Sequence, residues 1–413
     1  INHLFRHEYG KIVSVLSRLL GLQNLSAAED IVQDTLMQAM ITWGYSGIPE
    51  NPSAWMYMVA KNKSIDYLRR KSKFREITKT YSALLIPGYV FTPVIDSMFS
   101  ESEIKDSQLR MIFACCHPDI PSESQIALAL KTLCGLSVSE IAKAFITSEE
   151  TISKRIYRAK QKIIAEKIEL EIPANDKLLL RIDTVLQSLY LLFNEGYNSS
   201  HPLDLIREEL CEEAMRLTYL LTQHTVTNLS KTNALLSLFC FQASRLKARS
   251  DDEDNIILLK KQDRNKWFVP LINKGFDYLD ACMQKLEVSS YHLEASIASI
   301  HARAASFEET DWKLIYQLYK ILYNLNPSPV IDLNRAIASA YAINKEFALE
   351  KLLAISGLDQ YYLYYITAGE LYYELGEKKQ AKEWFKKAIT LTSSRQVKKL
   401  LLRKMDDCSG DLI

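Results

Sequence analysis

A chain of 413 residues is too long for one ordinary core, so several domains with ample apolar surface are expected. Hydrophobic residues make up 48%, and only 12 Gly and 11 Pro interrupt them, which favours long helices and an all-α fold. Net charge is +1, from 51 Lys and Arg against 50 Asp and Glu, which excludes a global pull toward polyanions; any nucleic-acid face must be local. Seven cysteines at irregular positions offer no disulfide framework and suit a reducing, cytoplasmic setting. No run of about 18 apolar residues is found and the residues after Ile1 do not have the pattern of a secretory leader, so no membrane partner is expected.

Residues 3 to 43 read as two or three helices. Ser26 stands as a cap before Ala27-Ala28-Glu29-Asp30, whose acids suit a helix N-terminus, and Ile31, Val32, Leu36 and Ala39 follow at helical spacing. Asn51-Pro52-Ser53 starts another helix in which Trp55, Met58, Val59, Asn62, Ile65 and Asp66 recur on the 3.6 period. From 61 to 75 there are seven basic residues and one acid, a local charge of +6. Pro87-Gly88, Thr92-Pro93 and scattered Ser break the pattern, so 76–105 reads as a linker after a first domain at 1–75.

Helices resume near Ile104 and form a second domain at 106–170, with Pro173 marking the next boundary. The stretch GLSVSEIAKAFITSEETISKRIYRAKQKI, residues 135–163, has the form of a helix-turn-helix. Ser137 and Glu140 make a capping box, with Ile141, Ala142 and Phe145 facing inward. The second helix, capped by Thr147 or Ser148, turns Ile152, Ile156, Ala159 and Ile163 inward. That leaves Thr151, Ser153, Lys154, Arg155, Arg158 and Lys162 outward, the residue types that grip phosphates and read base edges in a major groove. The basic Trp55 helix, about 75 residues upstream, is a second such surface.

From 174 to the end a third, helical domain is expected, with SDDEDN at 250–255 as a loop between helices. In YYITAGELYYELGEKKQAKEWFKKAITL, Gly369, Tyr372, Gly376, Ala381, Phe385 and Ala388 fall where a tetratricopeptide unit places small residues and aromatics. Ala336 and Ala348 each lie 33 residues before Gly369 and Ala381, so the repeat covers about 329–395. Two repeats cannot stand alone and must pack on the preceding helices.

Two patterns invite chemistry. Cys115-Cys116-His117 carries zinc-ligand types, yet adjacent cysteines on a helix point about 100° apart and no second ligand pair lies nearby, so buried thiols before a His-Pro stop are expected and no metal. Glu195 in Asn194-Glu195-Gly196-Tyr197 has no partner acid or base, and Gly196 suits a helix C-cap. With no Gly-rich phosphate loop and no nucleophile elbow, neither an enzyme nor a cofactor is expected.

The segments AAEDIVQDTLMQAMITW, NPSAWMYMVAKNKSIDYLRR and LSVSEIAKAFITSEETISKRIYRAKQKI resemble regions 2 and 4 of extracytoplasmic-function sigma factors of bacterial RNA polymerase. LRMIFACCHPDIPSESQIALALKTLCGL and LYLLFNEGYNSS resemble the subgroup with a long helical, tetratricopeptide-like C-terminal extension, although the approach SEIKDSQLR lacks that subgroup's acidic run. The resemblance implies a region 2 bundle, a region 4 helix-turn-helix domain and an extension. It implies that Asp30, Gln33, Asp34 and Met37 dock on the β′ clamp helices of core RNA polymerase. It places Asn62 against an extruded base of the minus 10 element and Lys61, Lys63, Arg69 and Arg70 on phosphates, while Trp55 either stacks on a base or packs in the bundle. The recognition helix would read the minus 35 element and touch the β flap. The extension would regulate the factor through a protein or peptide partner on its repeat surface. The rival reading is a helix-turn-helix regulator with a tetratricopeptide-like sensor that never touches polymerase.

Overall fold

The protein is described here from a computed structural model, which covers residues 2–70, 97–145, 147–173, 175–198, 206–251, 253, 255–283 and 287–409. Eighteen α-helices and no strand occur among the described residues, as the scarcity of Gly and Pro foretold. The chain divides into two compact units, Ile1–Leu192 and Phe193–Ile413. No helix among the described residues is long and apolar enough to cross a membrane. The expected linker at 76–105 lies outside the described residues as far as 96.

The first unit is built around α1 (Asn2–Leu20), whose Ile12, Val13, Val15 and Leu16 are fully buried. Against it lie α2 (Leu25–Ser46), α3 (Pro52–Arg70), α4 (Glu101–Cys115) and α5 (Ser122–Cys134). The last two belong to the second expected domain, so both promoter-type segments share one compact unit. Gly10 explains how closely they meet: a Cβ there would lie 1.9 Å from the Leu133 carbonyl oxygen of α5, so only glycine admits this approach. Short ionic contacts edge the same junction. Arg6 pairs with Glu140 at 2.9 Å, and Arg18 with Glu103 at 2.6 Å and Asp106 at 3.1 Å.

Helices α6 (Val138–Ala144) and α7 (Glu149–Ala165) complete the helix-turn-helix, and α8 (Asn175–Tyr197) begins in this unit, where Arg181 donates to the Phe113 carbonyl at 3.3 Å. Two details correct the sequence reading. Helix α2 starts at Leu25 with Asn24 as its N-cap, so Ser26 lies inside the first turn and caps nothing. On α3 the core is touched by Met56, Val59, Ala60, Ser64 and Leu68, and of the periodic set only Val59 joins them; Met58, Asn62 and Asp66 are exposed.

The second unit contains α9 (Glu208–Thr222), α10 (Ser230–Ser244), α11 (Val269–Met283), α12 (Ser290–Arg303), α13 (Trp312–Leu325), α14 (Pro329–Ala342), α15 (Lys345–Leu353), α16 (Tyr362–Glu374), α17 (Lys378–Leu391) and α18 (Arg395–Asp407). Helix α10 is its centre, buried on nearly all sides and packed on α9, α11 and α12. An all-round apolar helix must be enclosed in this way. Gly196 is no C-cap: it sits in the last turn of α8, where a Cβ would stand 2.7 Å from the Cys211 nitrogen and its carbonyl accepts from Arg207 N at 2.7 Å. Residues 251, 253 and 255 form a knit turn in which Asp251 Oδ1 accepts from Glu253 N at 3.0 Å and Asn255 N at 2.8 Å. In the tail, Ala336, Ala348, Ala368, Ala381 and Ala388 are buried, and a Cβ on Gly369 would lie 2.5 Å from the Phe385 ring.

Candidate nucleic-acid and polymerase interface

The helix-turn-helix is assembled by local rules. Gly135, at φ 62°, ends α5 in the left-handed conformation that glycine adopts freely. The capping box forms in both directions, with Ser137 N donating to Glu140 Oε2 at 2.7 Å and Glu140 N donating to Ser137 Oγ at 3.1 Å. Ser148, rather than Thr147, caps α7 by accepting from Thr151 N at 3.1 Å. The inward stripe Ile152, Ile156, Ala159 and Ile163 is buried, which anchors α7 by about 1.5 to 3 kcal/mol for each isoleucine.

The six candidate residues of α7 then divide. Ser153, Lys154, Arg158 and Lys162 are exposed; Arg158 has no ion-pair partner among the described residues, while Lys154 and Lys162 hold only exposed neighbours, Glu150 at 2.6 Å and Glu166 at 3.0 Å. Thr151 is taken up in the cap through Ser148 Oγ at 2.8 Å, and Arg155 pairs with Glu123 of α5. Tyr157, 64% exposed between Lys154 and Arg158, is an aromatic on the same face that the sequence reading left out. Lys160 is withdrawn from that face and pairs with Glu29 of α2, with Ser26 Oγ at 3.3 Å.

On α3, Asn62 is exposed and Lys61 and Lys63 partly so, whereas the side chains of Arg69 and Arg70 lie outside the described residues. Trp55 stands edge-on to Trp43 at 5.4 Å, and Trp43 in turn meets Phe5 at 5.6 Å, so one side of Trp55 packs in the bundle while it stays partly accessible. Glu8 of α1 holds α3 in place. It is almost fully buried, and it accepts from Ser53 Oγ at 3.1 Å, from Lys11 Nζ at 3.0 Å and from the Tyr57 hydroxyl. Burial would raise its pKa, but the hydrogen bonds from His7, Tyr57 and Lys11 and the Lys11 charge prevail and hold the carboxyl at about 2.

On α2, Asp30, Gln33, Asp34 and Met37 are all exposed and fall on one face at i, i+3, i+4 and i+7. That face continues through Met40, Ile41 and Tyr45, which are 63%, 59% and 92% exposed. The sequence reading stopped at Met37, although the i+3 and i+4 spacing onward was there to follow. Contiguous apolar exposure of this kind marks a contact surface.

The cysteine motif has no such face. Cys115 and Cys116 are buried, and burial pushes the Cys116 thiol up to about 12 and the Cys115 thiol well above its ordinary range. Among the described residues no three His, Cys, Asp or Glu side chains gather as a metal site. All seven cysteines are free; six are buried and Cys408 is partly exposed.

The segments that carry these faces resemble known families. Sigma-70 region 2 matches residues 4–74 and Sigma-70 region 4 matches 110–163, while a family of unknown function (DUF6596) matches 181–283. An uncharacterized protein of Rhizobium meliloti is 34% identical over 94% of this chain and 92% of its own length. The ECF RNA polymerase sigma factor SigW of Bacillus subtilis is 26% identical over 37% of this chain and 80% of its own. The ECF RNA polymerase sigma-E factor of Haemophilus influenzae is 28% identical over 39% and 84%. No solved structure matches the chain. With regions 2 and 4 in the family's order and a helical segment continuing beyond them, the chain belongs to the extracytoplasmic-function sigma factors, in a form that carries a C-terminal extension.

Proposed function

We propose that the chain works in the cytoplasm as an alternative sigma factor whose three outward faces divide the labour of promoter use, and that it catalyses nothing itself. The face of α2, from Asp30 to Tyr45, docks on the β′ clamp helices of core RNA polymerase: carboxylates guide the approach, and methionines, Ile41 and Tyr45 supply the apolar contact. Helix α3 receives the minus 10 element, with Asn62 at an extruded base and Lys61 and Lys63, joined by Arg69 and Arg70 in sequence, on phosphates. Stacking and edge contacts of this kind contribute about 1 to 3 kcal/mol per base. Trp55 borders that surface and offers its free side to a base.

Helix α7 enters the major groove of the minus 35 element through Ser153, Lys154, Arg158 and Lys162, with Thr151 and Arg155 orienting it, and its far end meets the β flap. The observation that carries the reading is the split of α7 into a buried aliphatic stripe and an opposite face holding an exposed arginine with no ion-pair partner among the described residues. The extension, with a repeat surface suited to a peptide partner, controls access to regions 2 and 4; its covalent attachment and small-residue helix crossings support this.

Abortive initiation with purified core RNA polymerase on genomic promoter fragments tests the whole reading. The full chain should support initiation, with salt sensitivity that scales with its phosphate contacts. A chain cut after Leu192 should change either the level of initiation or its response to signal. The cut belongs there because Arg181 of α8 holds Phe113 within the first unit. DNA binding without initiation would instead favour a regulator that acts apart from polymerase.

A further inference from the structure

Within the second unit lies a cavity of about 240 Å³, enclosed by α10, the connection that follows it, and helices α12, α13 and α14. Its walls are aromatic and cationic. Arg245 lines it beside Trp267, with the guanidinium carbon 5.4 Å from the indole centroid, and Arg264 covers the same indole at 4.1 Å. His301 and Trp312 meet edge to face at 5.2 Å and also line it, as does Tyr319.

The polar atoms around this space are unusually idle. Among the described residues, Arg245 Nε, Trp267 Nε1 and His301 Nδ1 are buried without a hydrogen-bond partner, as is Arg264 Nη2, while Arg264 Nη1 donates to the His301 carbonyl at 2.5 Å. Trp267 itself is only 4% exposed. Folded proteins rarely leave such groups unmet, and a cluster of them around one cavity marks a place where something else supplies the acceptors. Among the described residues neither arginine forms an ion pair, although Glu294 lines the same cavity. Two guanidiniums against one indole would repel each other without a counter-charge. Burial first, and then Arg245 and Arg264, press the His301 imidazole down to about 3, so it stays neutral and available as a hydrogen-bonding group.

We infer that this cavity binds a small organic anion, its carboxylate or phosphate held by Arg245 with the Trp267 and His301 nitrogens, and its apolar body lying against Trp312 and Tyr319. The donors suit this chemistry because guanidinium and indole N–H groups only donate, so an acceptor-rich anion satisfies both. The volume falls below the roughly 300–1,000 Å³ of drug-sized sites, which limits the guest to metabolite size. The anion-holding residues Arg245 and Trp267 belong to the segment matched by the family of unknown function, whereas His301, Trp312 and Tyr319 come from beyond it. The inference therefore stands apart from the promoter-reading assignments.

The test is titration of the full-length protein with phenyl phosphate, benzoate, inorganic phosphate and neutral benzamide, followed by tryptophan fluorescence and thermal denaturation. Saturable change and a raised Tm with phenyl phosphate or benzoate, and none with benzamide, are expected; the tighter of the two identifies the anionic group. Arg245→Gln should weaken that binding about tenfold or more. Arg264→Gln, acting on the other side of the indole, serves if Arg245→Gln does not fold. No response to either organic anion overturns the inference, as does equal binding by wild type and variant. Inorganic phosphate binding as tightly as phenyl phosphate would also overturn it, because the organic body would then play no part.

Discussion

Two buried charges, Glu8 in the first unit and Arg245 in the second, are treated in opposite ways. In the first, Glu8 collects Ser53, Tyr57, Lys11 and His7 around its carboxylate, and Glu29 meets Lys160. In the second, Arg245 faces a cavity with an indole for company and forms no ion pair among the described residues. A buried charge with partners binds helices together, and removing one partner leaves the other uncompensated. A buried charge without partners stabilises nothing while the cavity is empty, so its presence points to a ligand. The contrast separates scaffold from site more sharply than burial alone.

The largest expected effect falls on the paired side. Glu8→Gln should destabilise the first unit by about 3 kcal/mol, read by urea denaturation. The sign with pH follows from the depressed carboxyl: the unfolded chain takes up this proton near pH 4.3, the folded one near 2. The stability that Glu8 contributes is thus fully present above about pH 4.5 and drains away toward pH 2, and the variant should lose that slope. Next, Glu29→Gln should cost about 2 kcal/mol, less than Glu8 because Lys160 can still reach water.

A smaller effect, on a different axis, comes from Arg158→Ala. Stability should stay within about 0.5 kcal/mol, while minus 35 affinity of the holoenzyme drops about tenfold and its salt slope falls by about one, measured by fluorescence anisotropy. The smallest effect has the opposite sign. Arg245→Gln should raise the stability of the unliganded protein by up to about 1 kcal/mol in thermal denaturation, since it removes an unmet buried charge. A loss of stability instead would make Arg245 a structural residue and break the comparison. The variant should also soften the acid sensitivity from His301, whose depressed pKa makes the folded state lose ground as pH falls from about 6.5 toward 3.

Sequence reasoning reached the elements whose causes are local. Ser137, Glu140 and the isoleucine stripe of α7 specify one short stretch through capping and period, and the structure forms them as expected. The same reasoning missed where choice depends on neighbours. Ser26 lost the cap to Asn24 because the preceding 3-10 turn, Leu22–Asn24, carries the chain straight into α2. On α3 the buried stripe runs through Met56, Val59, Ala60, Ser64 and Leu68, one helical phase away from the expected set, and Glu8, 45 residues from Ser53, ties the start of the helix to α1. The role of Gly196 came from the backbone of α9, which no local pattern announces. The cavity was least legible, because its walls gather residues from Leu238 to Ala338 and none of them forms a motif.

The cysteines have a practical outcome. Burial lifts Cys211 and Cys240 to about 12 and Cys282 to about 11, so at neutral pH these thiols stay protonated and shielded. Cys408, which follows α18, also has its thiol pushed up, by burial and then by Asp407, but it is partly exposed, so access sets it apart. A maleimide dye added to the native protein should therefore settle at one address near the chain's C-terminal end, giving a single-colour reporter on the extension without mutating any of the other six positions.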